Sequence, residues 1–280
     1  MKNFFVKSHG LGNDYIVLNE ISFGLTKKNI QTICDVHYGI GSDGILLLTN
    51  SDKADFGLRI FNPDGSEAEK SGNGLRIFSK FLYDYGYVKS DSFSIDTIGG
   101  VVRAVVTEIS KGRAQTIQVD MGSAIFKSVD IPVLSAREEC MDETLQLNNK
   151  IYKIDCVSVG NPHCVVIKDA LSIEEILHYG SQIENHPMFP NRINVQFAKV
   201  ISPSLVEILI WERGAGYTLA SGSSSSAVAS IMVKKGLTDS NITVRMPGGD
   251  LKLSIAEDWQ IRMTGEVREI ASGYLSNELV

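Results

Sequence analysis

The apolar positions of the chain recur mostly in short segments with a period of two, the pattern of β-strands that are buried on one face. Turn-forming residues separate the segments, so many of them are predicted to pair as hairpins. The predicted strands are residues 3–7, 15–19, 45–48, 56–61, 92–97, 101–107, 116–121, 151–159, 163–168, 193–200, 205–211, the two arms of a hairpin within 242–255, 260–263 and 267–274. Helical spacing predicts helices at 26–38, from Ser71 to Gly86, at about 172–179 and at 222–236.

A serine followed by a glycine opens two of these predicted helices. Ser71-Gly-Asn-Gly precedes a helix on which Leu75, Phe78 and Leu82 share one face. Ser221-Gly-Ser-Ser precedes the other helix, 150 positions later. The backbone N–H groups at such a helix start are unpaired and suit a carboxylate or a phosphate.

Further landmarks recur at nearly the same spacing. An offset of 148 to 150 residues relates Gly12-Asn13 to Gly160-Asn161, Phe61 to Trp211, Gly86 to Gly236 and Gly99-Gly100 to Gly248-Gly249. We interpret this collinear series as an internal duplication that gives two domains of ordinary size. Strands dominate and each half has one long helix, which predicts an α+β fold of two pseudo-symmetric domains, each a curled, mostly antiparallel sheet around a long central helix.

The duplication has a structural and a functional interpretation. Two fused copies need not share a site. Two related halves that face one another would instead place one Ser-Gly helix start on each side of a single cleft, and this is the arrangement that we expect.

Composition narrows the class of protein. The chain has 280 residues, of which 43% are hydrophobic and 21% charged, with a formal net charge of −6 and no basic stripe, so nucleic acid is not an expected partner. No signal peptide or membrane-spanning run is evident, so no membrane association is expected. The four cysteines show no CxxC spacing, which indicates neither a metal site nor a disulfide framework and favours the cytoplasm.

Several polar residues near turns and strand ends are candidates for ligand binding. Arg213 is suited to a bidentate grip on a carboxylate and Glu212 can accept from an ammonium group, although an adjacent Glu-Arg pair is often only a solvated surface pair. A lone histidine near a strand start, such as His163, is more often structural than catalytic. Amides that would suit a zwitterionic ligand, or would serve only as turn residues, are Asn13, Asn62, Asn73, Asn161 and Asn194. The Gly-rich loop 39–44 lacks the spacing of a nucleotide-binding fingerprint.

Six ordered motifs closely resemble those of diaminopimelate epimerase and span nearly the whole chain. They are His9-Gly-Leu-Gly-Asn-Asp, Arg59-Ile-Phe-Asn-Pro-Asp-Gly-Ser-Glu-Ala-Glu, Ser71-Gly-Asn-Gly, Gly160-Asn-Pro-His-Cys-Val, Arg192-Ile-Asn-Val and Trp211-Glu-Arg-Gly-Ala-Gly-Tyr-Thr-Leu-Ala-Ser-Gly. The resemblance implies the duplicated fold, with a cofactor-free racemisation site between the halves. It also implies that the C-terminal strand completes the first domain, so we expect domains at 1–114 plus 267–280 and at 115–266.

The resemblance further implies roles for individual residues. In this family two cysteines act on opposite faces of the substrate α-carbon, and the helix N-termini behind them bind the α-carboxylate. The implied carboxylate-binding residues are Gly72, Asn73, Gly222 and Ser223. The implied substrate-lining residues are Asn13, Asn62, Asn161, Asn194, Glu212 and Arg213. His163 and Glu212 would tune the two acid/base groups, and the substrate is a small amino acid in the pathway to lysine and peptidoglycan.

The chain departs from the family at both cysteine positions, which are Ser71 and Ser221. A thiol titrates near 8.5 and an alkanol closer to water, near 15.7, so a serine base loses on the order of 7 kcal/mol or more before any rescue by a neighbour. We therefore do not expect ordinary two-thiol catalysis.

Three explanations stay open at this point. The chain is a natural serine-bearing branch, or an engineered Cys→Ser double variant, or a protein in which His163 or Glu212 does the acid/base work while the serines are spectators. The function is accordingly epimerisation of LL- and meso-diaminopimelate, isomerisation of another amino acid such as histidine, or binding of an amino acid without catalysis. The sequence leaves open whether the chain assembles as a homodimer.

Overall fold

The computed structural model describes residues 3–19 and 21–279. Within them the chain forms eighteen β-strands, four α-helices and one short 3-10 helix at Ser128–Asp130. The helices are α1 Lys27–Cys34, α2 Gly72–Asp84, α3 Ile173–Glu184 and α4 Gly222–Lys234. The strands are β1 Phe4–Gly10, β2 Asn13–Leu18, β3 Ile45–Thr49, β4 Phe56–Phe61, β5 Glu67–Ala68, β6 Ser92–Thr97, β7 Gly100–Ser110, β8 Arg113–Ser123, β9 Glu143–Gln146, β10 Ile151–Ser158, β11 Pro162–Ile167, β12 Asn194–Ser202, β13 Leu205–Glu212, β14 Gly216–Thr218, β15 Asn241–Met246, β16 Gly249–Ile255, β17 Gln260–Glu266 and β18 Arg268–Tyr274.

The chain divides into two compact units. The first unit comprises Met1–Asp120 with Thr264–Val280, and the second comprises Met121–Met263. β8 runs through the boundary that the sequence predicts at residue 114, and the domain limits inferred from the sequence stay a prediction.

The two units repeat one order of strand pairings. In the first, β1–β2 is an antiparallel hairpin, β2–β3 is parallel, β3–β4 and β4–β5 are antiparallel, β4–β6 is parallel and β6–β7 is antiparallel. In the second, the pairs β10–β11, β11–β12, β12–β13, β13–β14, β13–β15 and β15–β16 follow with the same directions. Each parallel pair is joined through a helix, as parallel pairing requires. The predicted α+β class and its duplicated, mostly antiparallel sheets are confirmed.

The second helix of each unit is buried on every face. All residues from Asn73 to Leu82 of α2 are buried, and so are Gly222 and all residues from Ser224 to Met232 of α4. The sequence pattern predicted one apolar face for α2, because Leu75, Phe78 and Leu82 are spaced on one side. The structure buries the polar side as well, so its polar groups must find partners inside the protein.

A buried ion pair joins α2 to β8. Lys80 Nζ lies 2.8 Å from Asp84 Oδ2, and both side chains are almost inaccessible to water. Lys80 also donates to the Ala114 carbonyl, and Asp84 Oδ1 accepts from the Ala114 N–H at 2.8 Å. The pair therefore satisfies both backbone polar groups of Ala114 together with its own charges. At the position 150 residues later, Ser230 instead donates to the Ser226 carbonyl at 2.8 Å within α4.

Local capping explains where the predicted helices differ from the observed ones. Thr26 caps α1, and its side chain accepts from the Asn29 N–H. The helix ends at Cys34 rather than residue 38, because the Asp35 side chain accepts from the N–H groups of His37 and Tyr38 and closes a turn. α3 continues to Glu184, five residues beyond its predicted end. The short strands β5, β9 and β14 were not predicted.

The four cysteines are free thiols and all are buried. Burial raises the pKa of Cys34 to about 12, and burial raises the pKa of Cys156 well above its ordinary value. Among the described residues, no helix is long and apolar enough to cross a membrane.

Replacement of Asp84 tests the buried ion pair. Asp84→Ala leaves the Lys80 ammonium buried without its counter-ion, and we expect it to lower the free energy of unfolding by about 3–5 kcal/mol in urea denaturation. The double change Lys80→Met/Asp84→Leu removes both charges and is expected to recover most of that loss. Asp52→Ala at an exposed site is the control, with an expected change within about 0.5 kcal/mol. Equal stability of Asp84→Ala and the control would contradict the role of the pair.

Candidate functional site

The first helix start, Ser71-Gly72-Asn73, begins α2. Ser71 is the N-cap, with extended backbone, and its Oγ accepts from the Gly74 N–H at 3.0 Å. A Cβ on Gly74 would lie 3.1 Å from Leu46 Cδ2 and 3.2 Å from Ser71 Oγ, so the glycine lets the first turn pack closely. The first N–H groups of a helix have no partner within it, and the serine cap leaves those of Gly72 and Asn73 for a ligand to accept.

Two predicted asparagines lie together beside this helix start. Asn73 Nδ2 donates to Asn13 Oδ1 at 3.0 Å, and Asn13 Nδ2 donates to Asp43 Oδ2 at 2.9 Å. The Arg76 guanidinium donates to Asn73 Oδ1 at 2.7 Å. Arg76 is fully buried, and desolvation lowers its pKa to about 10, so it remains a cation at neutral pH. Asp43, from the Gly-rich loop 39–44, was missed by sequence reasoning.

Tyr15 is a second residue that the sequence did not point to. Its phenol oxygen lies 3.2 Å from Ser71 Oγ, and its side chain is buried. The ring occupies the space over Gly44, where a Cβ would lie 2.7 Å from Tyr15 Cε1 and 2.4 Å from the Phe61 carbonyl oxygen. Gly44 therefore has to be a glycine for Tyr15 to reach Ser71.

Asn62 is held within its own turn. Its Nδ2 donates to Ser66 Oγ at 3.0 Å, and its N–H donates to the Ser66 carbonyl at 2.8 Å. The turn interpretation is thus observed for Asn62, and its contact with a substrate stays a prediction.

The second helix start, Ser221-Gly222-Ser223, begins α4. Ser221 is again the N-cap, but its Oγ is 3.4 Å from the Ser224 N–H and 3.4 Å from Ser223 Oγ, both long for hydrogen bonds. Burial raises the pKa of Glu212, and the hydroxyl of Ser221 partly opposes that rise. The second helix start therefore combines a hydroxyl with a desolvated carboxylate.

The loop after Glu212 is fixed from two sides. Asn194 Oδ1 accepts from the Arg213 N–H at 3.0 Å, while its Nδ2 donates to the Pro162 carbonyl at 2.9 Å. The Arg213 side chain is exposed and donates to the Asn191 carbonyl at 3.1 Å. The amide of Asn194 is thus committed to holding the backbone from which Arg213 projects.

Glu184 also fixes this loop, and the sequence did not point to it as a site residue. Its buried carboxylate accepts from the Gly214 N–H at 2.9 Å, from Trp211 Nε1 at 2.8 Å and from the Arg192 guanidinium at 3.1 Å. Glu184 lies in the last turn of α3, beyond the predicted end of that helix at residue 179. No local pattern could have marked it.

His163 is fully buried between Asn161 and Gln196. Its Nε2 lies 2.9 Å from Asn161 Oδ1, and the Gln196 side chain lies on the other side of the ring. Burial lowers the pKa of His163 to about 3, with a small further contribution from the charge of Arg213, so the ring is neutral. The imidazole is therefore held as a neutral donor toward Asn161.

The Gln196 amide links this histidine to α4. Gln196 lies 3.0 Å from Ser224 Oγ. Gln196 Nε2 donates to Ser224 Oγ, and His163 Nδ1 and Gln196 Oε1 are buried without a hydrogen-bond partner among the described residues. The reverse orientation of the Gln196 amide would pair both atoms.

The structure thus gathers the predicted residues of each unit into groups. In the first unit Asn13, Asn73 and Ser71 surround the start of α2, and in the second unit Glu212, Ser221 and Ser223 surround the start of α4. His163 on β11 pairs in register with Asn194 on β12, and Asn161 directly precedes β11, so these three residues form a neighbouring group. Across residues 3–19 and 21–279, no group of three His, Cys, Asp or Glu side chains is arranged to hold a metal ion.

Comparison with known sequences places these groups in a family. A family model described as diaminopimelate epimerase matches residues 5–127 and 155–270. "Diaminopimelate epimerase 2" of Nostoc sp. (strain PCC 7120 / SAG 25.82 / UTEX 2576) is 51% identical over 278 residues, which cover 98% of this chain and 96% of that protein. The diaminopimelate epimerase of Pelotomaculum thermopropionicum is 38% identical over 273 residues, with coverage of 96% and 97%.

Solved structures share the fold at low sequence identity. A probable proline racemase from Agrobacterium radiobacter K84 superposes with a TM-score of 0.71 at 14% identity, covering 98% of this chain and 93% of that one. A hydroxyproline epimerase from Agrobacterium vitis gives a TM-score of 0.70 at 15% identity, covering 96% and 91%. The resemblance carried by the six motifs is confirmed by the family model and the full-length relatives: the chain belongs to the diaminopimelate epimerase family.

Proposed function

We propose that the protein interconverts LL- and meso-diaminopimelate by taking the α-proton from one face of the α-carbon and delivering a proton to the other. The observation that carries the proposal is the duplicated, serine-capped helix start, because a substrate whose α-carbon is attacked from two faces needs two equivalent acid/base positions. Ser71 and Ser221 occupy those positions in the proposal.

The α-carboxylate is assigned to the N–H groups of the two helix starts. Gly72 and Asn73 would supply donors in the first, and Gly222 and Ser223 in the second. Unpaired N–H groups and the positive end of the helix dipole stabilise an anion, and they stabilise more strongly the charge that develops on the carboxylate as the α-proton leaves. The same groups would thus bind the substrate and lower the barrier.

The remaining polar residues are assigned to the rest of the substrate. Arg213 projects from a backbone fixed by Asn194 and by Glu184, which suits a carboxylate at the far end of diaminopimelate. Asn13, Asn62 and Asn161 would complete the polar lining. The proposal needs no cofactor, since the protein side chains supply both proton acceptor and proton donor.

Serine at both acid/base positions makes the proposed reaction slower than with thiols. Each unit by which the pKa of serine exceeds that of cysteine adds about 1.36 kcal/mol to the cost of forming the ionised base. An alkanol is several pKa units less acidic than a thiol. His163 does not compensate as a general base, because burial lowers its pKa to about 3 and so makes the neutral ring a weak proton acceptor. Rescue has to come from another neighbour.

This substitution favours a second candidate function. A chain that keeps the carboxylate-binding helix starts but lacks both thiols suits an amino-acid-binding protein without catalysis, or an isomerase acting on another amino acid such as histidine. A thermal-shift panel of amino acids separates these candidates from the main proposal, because the ligand that raises Tm most is the one that the site accommodates.

We propose the cytoplasm as the working compartment. Four buried cysteines without a disulfide suit a reducing environment. Assembly as a homodimer stays a proposal, for which sedimentation equilibrium is the direct test.

Restoring the thiols tests the proposed function. The double variant Ser71→Cys/Ser221→Cys should interconvert LL- and meso-diaminopimelate at least about a hundredfold faster than the protein itself, because each thiol is several pKa units more acidic than the hydroxyl it replaces. Stereoisomers are quantified by chiral chromatography over time. The matched controls are the single variants Ser71→Cys and Ser221→Cys, which supply a thiol to one face only and should remain well below the double variant. A folded double variant without any epimerase activity would overturn the proposal.

Truncation of Arg213 tests the assignment of the distal carboxylate. Arg213→Ala should raise the Kd for meso-diaminopimelate about 10- to 100-fold in titration calorimetry, because a charge-assisted hydrogen bond is lost. The control Arg245→Ala removes another exposed arginine, which pairs with Asp250, and should leave the Kd within about twofold. If both variants bind equally well, Arg213 does not contact the substrate.

A further inference from the structure

A chain of hydrogen bonds with a charge at each end lies beside the first helix start. It begins at the Arg76 guanidinium, which donates to Asn73 Oδ1 at 2.7 Å. Asn73 Nδ2 then donates to Asn13 Oδ1 at 3.0 Å, and Asn13 Nδ2 donates to Asp43 Oδ2 at 2.9 Å. All four residues belong to the first unit. The chain therefore joins a cation to a carboxylate through two side-chain amides.

The two charged ends determine which way each amide is turned. A guanidinium only donates hydrogen bonds, and an ionised carboxylate only accepts them. Reversal of the Asn73 amide would set two donors against each other at Arg76, and reversal of the Asn13 amide would set two acceptors against each other at Asp43. Both amide oxygens are therefore turned toward donors of the same unit. Each amide nitrogen keeps a second hydrogen that no described residue accepts.

We propose that Arg76 and Asp43 are positioning residues: they orient the two amides between them as a pair of donors for the carboxylate of an amino acid. The inference rests on the proposed function, since it explains how the first helix start selects the carboxylate assigned to it. A carboxylate has only acceptors and matches such donors, whereas a carboxamide brings an NH2 group that opposes them. The amides thereby extend the row of donors begun by the N–H groups of Gly72 and Asn73.

The Arg76 end of the chain is accommodated by the backbone around it. Its guanidinium also donates to the Gly72 carbonyl at 3.3 Å, so the charge lies beside the first turn of α2. A Cβ on Gly10 would lie 3.1 Å from Arg76 Nη2, and Gly10 pairs in register with Asn13 on the neighbouring strand. A cation at this end opposes the helix dipole and adds to the positive potential that a bound carboxylate meets.

The Asp43 end is fixed by a reciprocal pair of bonds to β2. Asp43 Oδ2 accepts from the Asp14 N–H at 3.0 Å, and Asp14 Oδ1 accepts from the Asp43 N–H at 3.0 Å. Lys7 Nζ lies 2.9 Å from the other oxygen of Asp14. The Asp43 carboxylate is therefore held in place although the residue is exposed, and it can orient Asn13 before a ligand arrives.

The second helix start repeats one contact of this arrangement without the charge. The position 150 residues after Arg76 is Ser226. Its hydroxyl donates to the Gly222 carbonyl at 2.8 Å, as the guanidinium does to the corresponding carbonyl of α2. A hydroxyl can both donate and accept, so it imposes no polarity on its neighbours. We therefore assign the selection of a carboxylate to the first helix start.

The experiment measures a carboxylate preference. We define it as the Kd of a ligand in which every carboxylate is converted to a carboxamide, divided by the Kd of the unmodified ligand. The ligands are meso-diaminopimelate and the amino acid that raises Tm most, and Kd is measured by titration calorimetry. The preference of the protein should be at least about a hundredfold, because an unpaired or opposed polar group is costly.

Two variants remove the ends of the chain. Arg76→Met should lower the carboxylate preference at least about tenfold, and Arg76→Lys, which keeps the charge, should restore part of it. Asp43→Ala should lower the preference at least about threefold, and Asp43→Asn, which keeps an acceptor oxygen, should restore part of it. Arg103→Met replaces an exposed arginine of the same unit that donates to Ser92, and it should leave the preference within about twofold.

Double-mutant cycles separate positioning from a general structural role. If Arg76 acts through Asn73, the loss of affinity caused by Arg76→Met should be at least about threefold smaller when Asn73→Ala is already present. The same holds for Asp43→Ala in the presence of Asn13→Ala. Losses of equal size in both backgrounds would overturn the positioning role. Circular dichroism and Tm establish that each variant is folded, and if Arg76→Met does not fold, the Asp43 cycle at the exposed end decides.

The outcomes distinguish this inference from the proposed function. An active double-Cys variant, together with an unchanged carboxylate preference in folded Arg76→Met and Asp43→Ala, overturns the inference and leaves the proposed function standing. An inactive, folded double-Cys variant, together with the expected cycles on another amino acid, overturns diaminopimelate epimerisation and supports the inference. A folded protein that binds no amino acid of the panel overturns both.

Discussion

Complete burial of one helix in each unit is the constraint on which the rest of the structure depends. α2 and α4 have no face in water, so every polar side chain that they carry must be satisfied inside the protein. The first unit meets this demand with long side chains, Arg76 bound to Asn73 and Lys80 bound to Asp84. The second unit meets it with serines that bond to their own helix. A helix held on all sides can present its N-terminus at a fixed position, which a carboxylate-binding site requires.

Features encoded by neighbouring residues could be predicted from the sequence. The serine caps of α2 and α4, the glycines that end both helices and the alternation of the strands are local signals, and each was located within a few residues. The duplication was also visible, because helix starts and turns recur at a nearly constant spacing. The repeated order of strand pairings confirms it at the level of topology. The six sequence motifs also identified the family.

Partners that are distant in sequence could not be predicted. Tyr15 meets Ser71 across 56 residues, and Gln196 meets Ser224 across 28, without any periodic signal at either end. Glu184 could not be predicted as a site residue because the predicted end of α3 lay before it. Burial on all sides of α2 was missed because its sequence marks only one apolar face, and only tertiary partners make the burial of Arg76 and Lys80 tolerable. The contacts of the site arise from packing, whereas its backbone framework arises from local signals.

The absence of sulfur at the two helix starts has a consequence for durability. A reactive thiolate is the side chain most readily converted to sulfenic acid or capped by an alkylating agent, whereas a serine hydroxyl has no comparable ladder of oxidation states. The thiols that the chain retains are buried, and a raised pKa keeps Cys34 and Cys156 out of the nucleophilic thiolate form. Serine in place of cysteine therefore lowers the acidity of the two positions but protects them from oxidation: peroxide would inactivate a pair of catalytic thiols and leaves these hydroxyls unchanged.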